Sequence, residues 1–144
     1  MSETDDTTWT IGPHDIRYEA ETGFIVFQTR GVVDSQHSKE ILEFFSLCAQ
    51  RSGVPPFVLV DCRDATTVTA ESRSIFSASE IMREGCHCSM FGASFAFRTV
   101  ITLFTKALTL TGSDFITNSV ADEPTAREWL ADKRREYLAR NAKT

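Results

Sequence analysis

The chain has 144 residues, of which 42% are hydrophobic and 24% charged, and its formal net charge is −5. This length fits one domain with a substantial buried core, and the acidic balance disfavours a nucleic-acid-binding surface. Residues 1–8 are acidic and Thr-rich without an apolar core, so they form neither a signal peptide nor a membrane span. We predict a poorly ordered tail over residues 1–12, one domain over residues 13–144, and a cytoplasmic location.

Two strands and a helix open the predicted domain. Charged residues alternate with less polar ones over residues 14–21, which is the period-two pattern of a strand with one solvated face. Residues 24–29 are largely apolar on both faces, and the intervening Thr22-Gly23 is a plausible turn, so we predict an antiparallel hairpin. Asp34 or Ser35 can then cap a helix that runs to about residue 51.

The most informative segment begins with the five residues 57–61, an apolar run that ends on Asp61. So short a run is typical of a strand buried on both faces, as in a parallel sheet. A short polar loop should follow, and Thr69 should cap a helix over about residues 70–84. Ligands and regulatory contacts collect where such strands end, so we predict that residues 61–72 form the functional surface.

The remaining elements alternate in the same way. We predict a strand over residues 87–93, a helix over 97–111, a strand over 115–120, and a last helix capped by Asp122. The element order β-β-α-β-α-β-α-β-α predicts an α/β fold, with a mixed, parallel-dominated sheet of about five strands and four helices.

This order, together with residues 58–69, 90–98 and 115–130, resembles the STAS domains, the fold of anti-sigma-factor antagonists, and more closely their divergent bacterial relatives. The resemblance implies a non-catalytic regulatory domain that binds a partner protein. In the antagonists an Asp-x-Ser motif precedes the helix; here Asp61 matches the acid and Arg63 stands at the serine. Ala70 stands where the antagonists carry the phosphorylated serine. Thr69 and Ser72 remain candidate acceptors, unless Thr69 is simply a helix cap.

We therefore assign the candidate binding residues to Asp61, Arg63, Thr69 and Ser72, with a protein partner and no cofactor. Cys86-His87-Cys88 supplies too few well-spaced ligands for zinc. Gly92-Ala93-Ser94-Phe95-Ala96 approaches a nucleophile elbow but lacks the second glycine, and no histidine follows His87. The sequence thus favours a protein that is not an enzyme.

Phenylalanine is unusually frequent, with 11 residues, and Phe91, Phe95 and Phe97 crowd one strand end. Such residues can fill a core, line a pocket, or form a subunit interface. The alternative function is accordingly the binding of a small apolar or anionic, lipid-like ligand at the strand-end region. We also expect a homodimer that uses this Phe-rich area.

Overall fold

The computed structural model describes residues 7–142, in which six strands form one sheet and five helices cover it. The elements in chain order are β1 (Thr7–Ile11), β2 (His14–Glu19), β3 (Phe24–Val33), α1 (Ser35–Ser52), β4 (Phe57–Val68), α2 (Ala70–Ala78), α3 (Glu80–Arg83), β5 (His87–Phe91), α4 (Phe95–Leu110), β6 (Ile116–Val120) and α5 (Glu123–Asn141). The predicted α/β class is confirmed, with one strand and one helix more than expected.

The strands lie side by side in sequence order, from β1 at one edge to β6 at the other. β1, β2 and β3 pair antiparallel, whereas β3, β4, β5 and β6 pair parallel. The predicted hairpin is therefore the β2–β3 pair. Gly23 lies in its turn with φ +77°, a backbone conformation that glycine adopts without steric cost.

Two hydrophobic layers hold the helices against the sheet. On one face, α1 to α4 pack over the larger core, which includes Phe44, Met82, Phe97 and Leu108. On the other face, α5 contributes Ala126 and Leu130 to a smaller core with Phe57, Leu59 and Phe91 of the sheet. The crossovers between parallel strands thus share one face, and α5 alone covers the other.

Side-chain caps start four of the helices where the sequence suggested or allowed them. Asp34 accepts a hydrogen bond from the His37 amide and begins α1, while Thr69 accepts one from the Ser72 amide and begins α2. Asp122 caps α5 in the same way, as predicted, and Ser94 caps α4. These caps satisfy amides that have no partner within the helix.

Three predictions about the elements were wrong. Residues 7–11 were assigned to a poorly ordered tail, but they form β1, where Ile11 is buried and Trp9 packs edge-on against Phe44; residues 1–6 lie outside the described part. Residues 62–68 are not a loop, because β4 continues through them. The helix predicted over residues 70–84 is divided at Ser79, whose extended backbone separates α2 from α3.

Candidate functional site

The continuation of β4 gives the candidate site its shape. β5 ends at Phe91, which pairs with Asp61, so beyond Asp61 only β3 pairs with β4 in the described residues. We call residues 62–68 the β4 extension. Its seven residues span about 23 Å at the usual rise of a strand. The segment predicted to be a loop is therefore an arm of two strands that projects past the centre of the sheet.

The β4 extension is irregular and partly solvated. Its register with β3 shifts twice, between Gln28 and Arg30 and between Gly31 and Val32, so β4 carries an extra residue at each shift. Arg63, Asp64 and Thr66 are exposed, and the segment ends on the buried Val68. Bulges of this kind re-aim side chains and interrupt the ladder, and here they place polar side chains along the outer part of the strand.

Asp61 and Arg63 form a tight ion pair at the base of the extension. Arg63 Nε and one terminal nitrogen donate to the two carboxylate oxygens of Asp61 at 3.0 and 2.7 Å, and the Arg63 amide donates to the same carboxylate at 3.1 Å. These hydrogen bonds lower the pKa of Asp61. The Arg63 side chain nevertheless keeps 64% of its surface exposed, against 11% for that of Asp61. The buried acid thus holds an arginine at the surface.

The loop after β5 supports the stem of the same arginine. A Cβ atom placed on Gly92 would lie 2.4 Å from Arg63 Cγ, and Gly92 has φ +74°. Both its backbone conformation and this close approach require glycine. The Arg63 guanidinium also lies 5.6 Å from the centre of the Phe91 ring, within cation–π range. Asp61, Phe91 and Gly92 therefore together restrict the exposed side chain of Arg63.

Thr69 and Ser72 lie at the far end of the extension, so the four predicted residues form two separate pairs. The Thr69 hydroxyl accepts from the Ser72 amide at 3.1 Å, and the Thr69 amide donates to the Val33 carbonyl at 3.0 Å. Ser72 is fully buried and its hydroxyl has no hydrogen-bond partner among the described residues. A kinase could not reach Ser72 without opening α2, and the oxygen of Thr69 already serves the helix cap.

On the sheet face that carries α5, Asp61 lies among further charged residues that were not predicted to belong to the site. They line a groove of about 240 Å³, which we call the sheet-face groove. Its polar members are Thr8, Asp15, Arg17, Gln28, Asp61, Arg63 and Glu123. The alternation of charges on β2 signals a wet strand face, but it does not show which strand ends meet there.

The charges around this groove are largely neutralised within the protein. Asp15 pairs with Arg30 at 2.8 Å, and Glu19 accepts from Arg127 of α5 at 2.7 and 3.0 Å. The Arg127 hydrogen bonds lower the pKa of Glu19 to about 2. Because each charge has a nearby counter-charge, the sheet-face groove favours no strongly charged ligand.

Cys86, His87 and Cys88 do not converge on a common point. The two sulfur atoms are 3.9 Å apart in the larger core, whereas the His87 ring faces α5 and stacks on Phe57 at 4.7 Å. Alternation along the strand separates them. Within residues 7–142 no group of three His, Cys, Asp or Glu side chains could hold a metal ion.

Ser94, at the near-match to a nucleophile elbow, serves as a helix cap. Its hydroxyl oxygen accepts from the Phe97 amide at 3.1 Å and begins α4. His87 faces the opposite side of the sheet, toward α5. The arrangement gives Ser94 no histidine base of the kind that a serine nucleophile requires.

Comparison with known proteins supports the fold assignment. The sequence matches no family model and no curated protein. A similar solved structure is that of an uncharacterized protein from the DUF3478 family with a SpoIIAA-like fold, from Shewanella loihica PV-4. The likeness covers 87% of this chain and 93% of that chain, with 10% sequence identity and a TM-score of 0.52. No helix in residues 7–142 is long and apolar enough to cross a membrane. The chain has the SpoIIAA-like fold of the STAS domains that its sequence resembles.

Proposed function

We propose that this protein is a non-catalytic interaction domain that contacts a partner protein through residues 61–72. One observation carries the proposal: β4 continues for seven residues past its last pairing with β5, which presents Arg63, Asp64 and Thr66 to solvent. An extension that pairs on one side only and exposes polar side chains buries little apolar surface, so it adds little to the stability of the sheet. The proposed contact surface is therefore the β4 extension together with the start of α2.

The geometry favours contact by side chains over the addition of a partner strand. The two register shifts and the charges on Arg63 and Asp64 guard this edge against strand addition. Arg63 is suited to be the anchor, because Asp61 and Phe91 already fix its conformation and less entropy is lost on binding. Arginine is also enriched at protein interfaces. Its N–H groups that do not serve Asp61 suit a carboxylate or a backbone carbonyl of the partner.

The chemistry of the described residues supports a role without catalysis. The hydroxyls of Thr69 and Ser94 cap helices, and the hydroxyl of Ser72 is buried. Burial raises the pKa of Cys62 to about 12, which makes this thiol a poor nucleophile at neutral pH. The proposed function therefore assigns Asp61, Arg63, Thr69 and Ser72 to the structure and contacts of an interaction surface.

The proposal can be tested by photo-cross-linking from the β4 extension. A photoreactive amino acid replaces the exposed Thr66. A matched protein carries it at the exposed Ser52, the last residue of α1, which precedes the opposite end of β4 in the chain. After irradiation in extract of the source cells, we expect a discrete adduct from position 66 and none from position 52. Introducing Arg63→Ala should remove that adduct. Equal adducts from both positions, or an adduct that Arg63→Ala leaves unchanged, would contradict the proposal.

The alternative function, the binding of a small apolar or anionic, lipid-like ligand at the strand-end region, has weaker support. A wholly apolar cavity of about 90 Å³ lies between the sheet and α1 to α4, away from Asp61. Its walls include Phe27, Val60, Met90, Phe97, Ile101 and Phe104. A cavity of about 150 Å³ holds benzene, so this one is too small for a lipid chain. Because the cavity is so small, we favour the partner contact over a lipid-like ligand as the function.

Self-association, which we also propose, needs a different patch from the one first considered. Phe91 and Phe97 are buried, with 4% and 3% exposure, whereas Phe95 is 78% exposed. Exposed apolar residues continue along α4 at Leu103 and Leu110, with 63% and 88% exposure. We propose that a second copy of the chain covers this side of α4.

A further inference from the structure

A second groove lies away from the β4 extension, between α4 and the edge strand β6. Its volume is about 320 Å³, which falls at the lower end of the range for small-molecule sites. We call it the α4–β6 groove. Its walls include Met90, Arg98, Thr102, Lys106, Thr117 and Ser119.

The charge in this groove is one-sided. Arg98 and Lys106 are exposed, and neither has an ion-pair partner among the described residues. The groove has no acidic residue in its walls, and α4 has none along its length. By contrast, most charges around the sheet-face groove are paired. Two uncompensated cations in a chain of net charge −5 make the α4–β6 groove attractive to an anion.

A buried hydroxyl without a partner points to the same place. Thr117 and Ser119 pair with Cys88 and Met90, residues of the larger core, so their side chains face α4. The Thr117 hydroxyl oxygen is buried and makes no hydrogen bond to any described residue. Such a group costs free energy unless something satisfies it. In the described rotamer this oxygen is closed to the groove, but Thr117 itself lines the groove, so rotation about its χ1 would turn the hydroxyl toward a ligand oxygen that accepts its proton.

We propose that the α4–β6 groove binds the phosphate group of a small molecule. Arg98 and Lys106 supply the positive charge, and the hydroxyls of Thr102, Thr117 and Ser119 supply donors that an oxyanion accepts. The apolar floor at Met90 and Ile101 suits the carbon skeleton of a phosphate monoester. This inference is independent of the proposed partner contact, because it uses no residue of the segment 61–72.

The test is an NMR titration of the isotopically labelled full chain at pH 7 and constant ionic strength. Inorganic phosphate and glycerol 3-phosphate are the two probes. We expect saturable shifts of the Thr102, Thr117 and Ser119 amides with at least one of them. Tighter binding of glycerol 3-phosphate would identify an organic phosphate monoester as the ligand class, and equal binding would identify phosphate itself. No saturable shift with either probe would overturn the proposal.

Variants separate this site from general attraction to surface charge. Lys106→Ala should weaken binding at least fivefold, whereas Lys39→Ala, which removes an exposed lysine of α1 that also lacks an ion-pair partner, should leave it unchanged. Thr117→Val should weaken binding severalfold without lowering the urea midpoint of unfolding, because it removes an unsatisfied buried hydroxyl while keeping the side-chain shape. Equal losses from the two lysine variants, or unchanged binding by Thr117→Val, would also overturn it.

Discussion

His14 shows how one buried residue joins the hairpin to the arm that carries the candidate site. It is fully buried, its Nδ1 accepts from the Arg30 amide at 3.0 Å, and its Nε2 donates to the Val32 carbonyl at 3.0 Å. Only the neutral ring can accept at Nδ1 while it donates at Nε2. Burial is the main cause that lowers the pKa of His14, and it outweighs the hydrogen bond to the Val32 carbonyl, which raises the pKa. The nearby His37 and Arg30 lower the pKa further, and Asp34 raises it.

This pKa shift predicts acid sensitivity just below neutral pH. The folded state binds the proton more weakly than the unfolded state, so stability is complete above the unfolded pKa of about 6.5 and falls as the pH drops toward the lower folded value. Burial lowers the pKa of His87 as well, which adds to the effect. We expect a lower urea midpoint at pH 5.5 than at pH 7.5, and a smaller difference in His14→Gln. Equal midpoints at both values for the unmodified protein would contradict this role.

Thr69 is the residue whose role as a helix cap can be tested by substitution. Thr69→Ala removes the acceptor of the Ser72 amide and should cost about 1 kcal/mol of unfolding free energy. Thr66→Ala, four residues away from the helix and exposed, is the matched control and should cost much less. Chemical denaturation measures both. An equal cost for the two variants would show that Thr69 does not stabilise α2 as a cap.

At the scale of elements, the loop between β5 and α4 packs closely against Arg63 of the β4 extension. Gly92 and Gly53 have nearly the same φ, +74° and +75°, but only at Gly92 would a Cβ meet another group, Arg63 Cγ at 2.4 Å. Gly53→Ala should therefore cost only the strain of its backbone conformation, about 1 kcal/mol. Gly92→Ala should cost measurably more in urea denaturation and should displace Arg63. Equal costs would mean that the loop does not press on the arginine.

The sequence could predict α2's start but not the strand before it. The apolar run of residues 57–61 and the cap at Thr69 both have clear local signals, and both the strand and the cap are confirmed. The predicted end of the strand at Asp61 is wrong, because β4 continues to Val68. The polar residues Arg63, Asp64 and Thr66 resemble a loop because β5 is absent on one side and solvent replaces it. Strand structure there depends on pairing with β3, a contact distant in sequence, and the bulges obscure its periodicity.

The buried side of α4 is hard to predict from the sequence for a different reason: the helix is apolar on more than one side. Phe97 and Leu108 are buried against the core, and Ile101 and Phe104 are half-buried beside them. Ala107, next to the buried Leu108, is exposed. When nearly every position is apolar, helical spacing alone cannot show which side meets the sheet. The position of the sheet decides which side of α4 is buried.

At the scale of the whole molecule, α4 carries the surface that we assign to self-association. Four of its exposed apolar residues, together with the half-buried Val100, have the 4-3-4-3 spacing of a heptad seam, and the exposed Phe95 lies beside them. We call this set the outer stripe: Ala96, Val100, Leu103, Ala107 and Leu110. An antiparallel pair centred on Leu103 would place Ala96 opposite Leu110 of the second copy, so that small and large side chains match. It would also keep Lys106 away from the lysine of the second copy.

The outer stripe is about 21 Å long at the helical rise. One such helix pair buries less than the about 1,200 Å² that is usual for a stable specific complex, so we predict a weak dimer. Sedimentation should show association at high micromolar concentration, and Leu103→Gln should abolish it. Val32→Gln, at an exposed apolar residue of β3, is the control and should leave association unchanged. A wild-type protein that stays monomeric at these concentrations would exclude the dimer.

The central claim concerns Arg63 as the anchor of a protein contact, and the most direct test is the affinity for the partner captured by cross-linking. Calorimetry should show that Arg63→Ala weakens binding at least tenfold, as expected for an interface anchor. Arg63→Lys keeps a charge beside Asp61 but loses the planar fork, so it should be intermediate. Arg51→Ala, near the end of α1, should bind as the unmodified protein does. Unchanged affinity in both Arg63 variants, with native circular dichroism, would contradict the account.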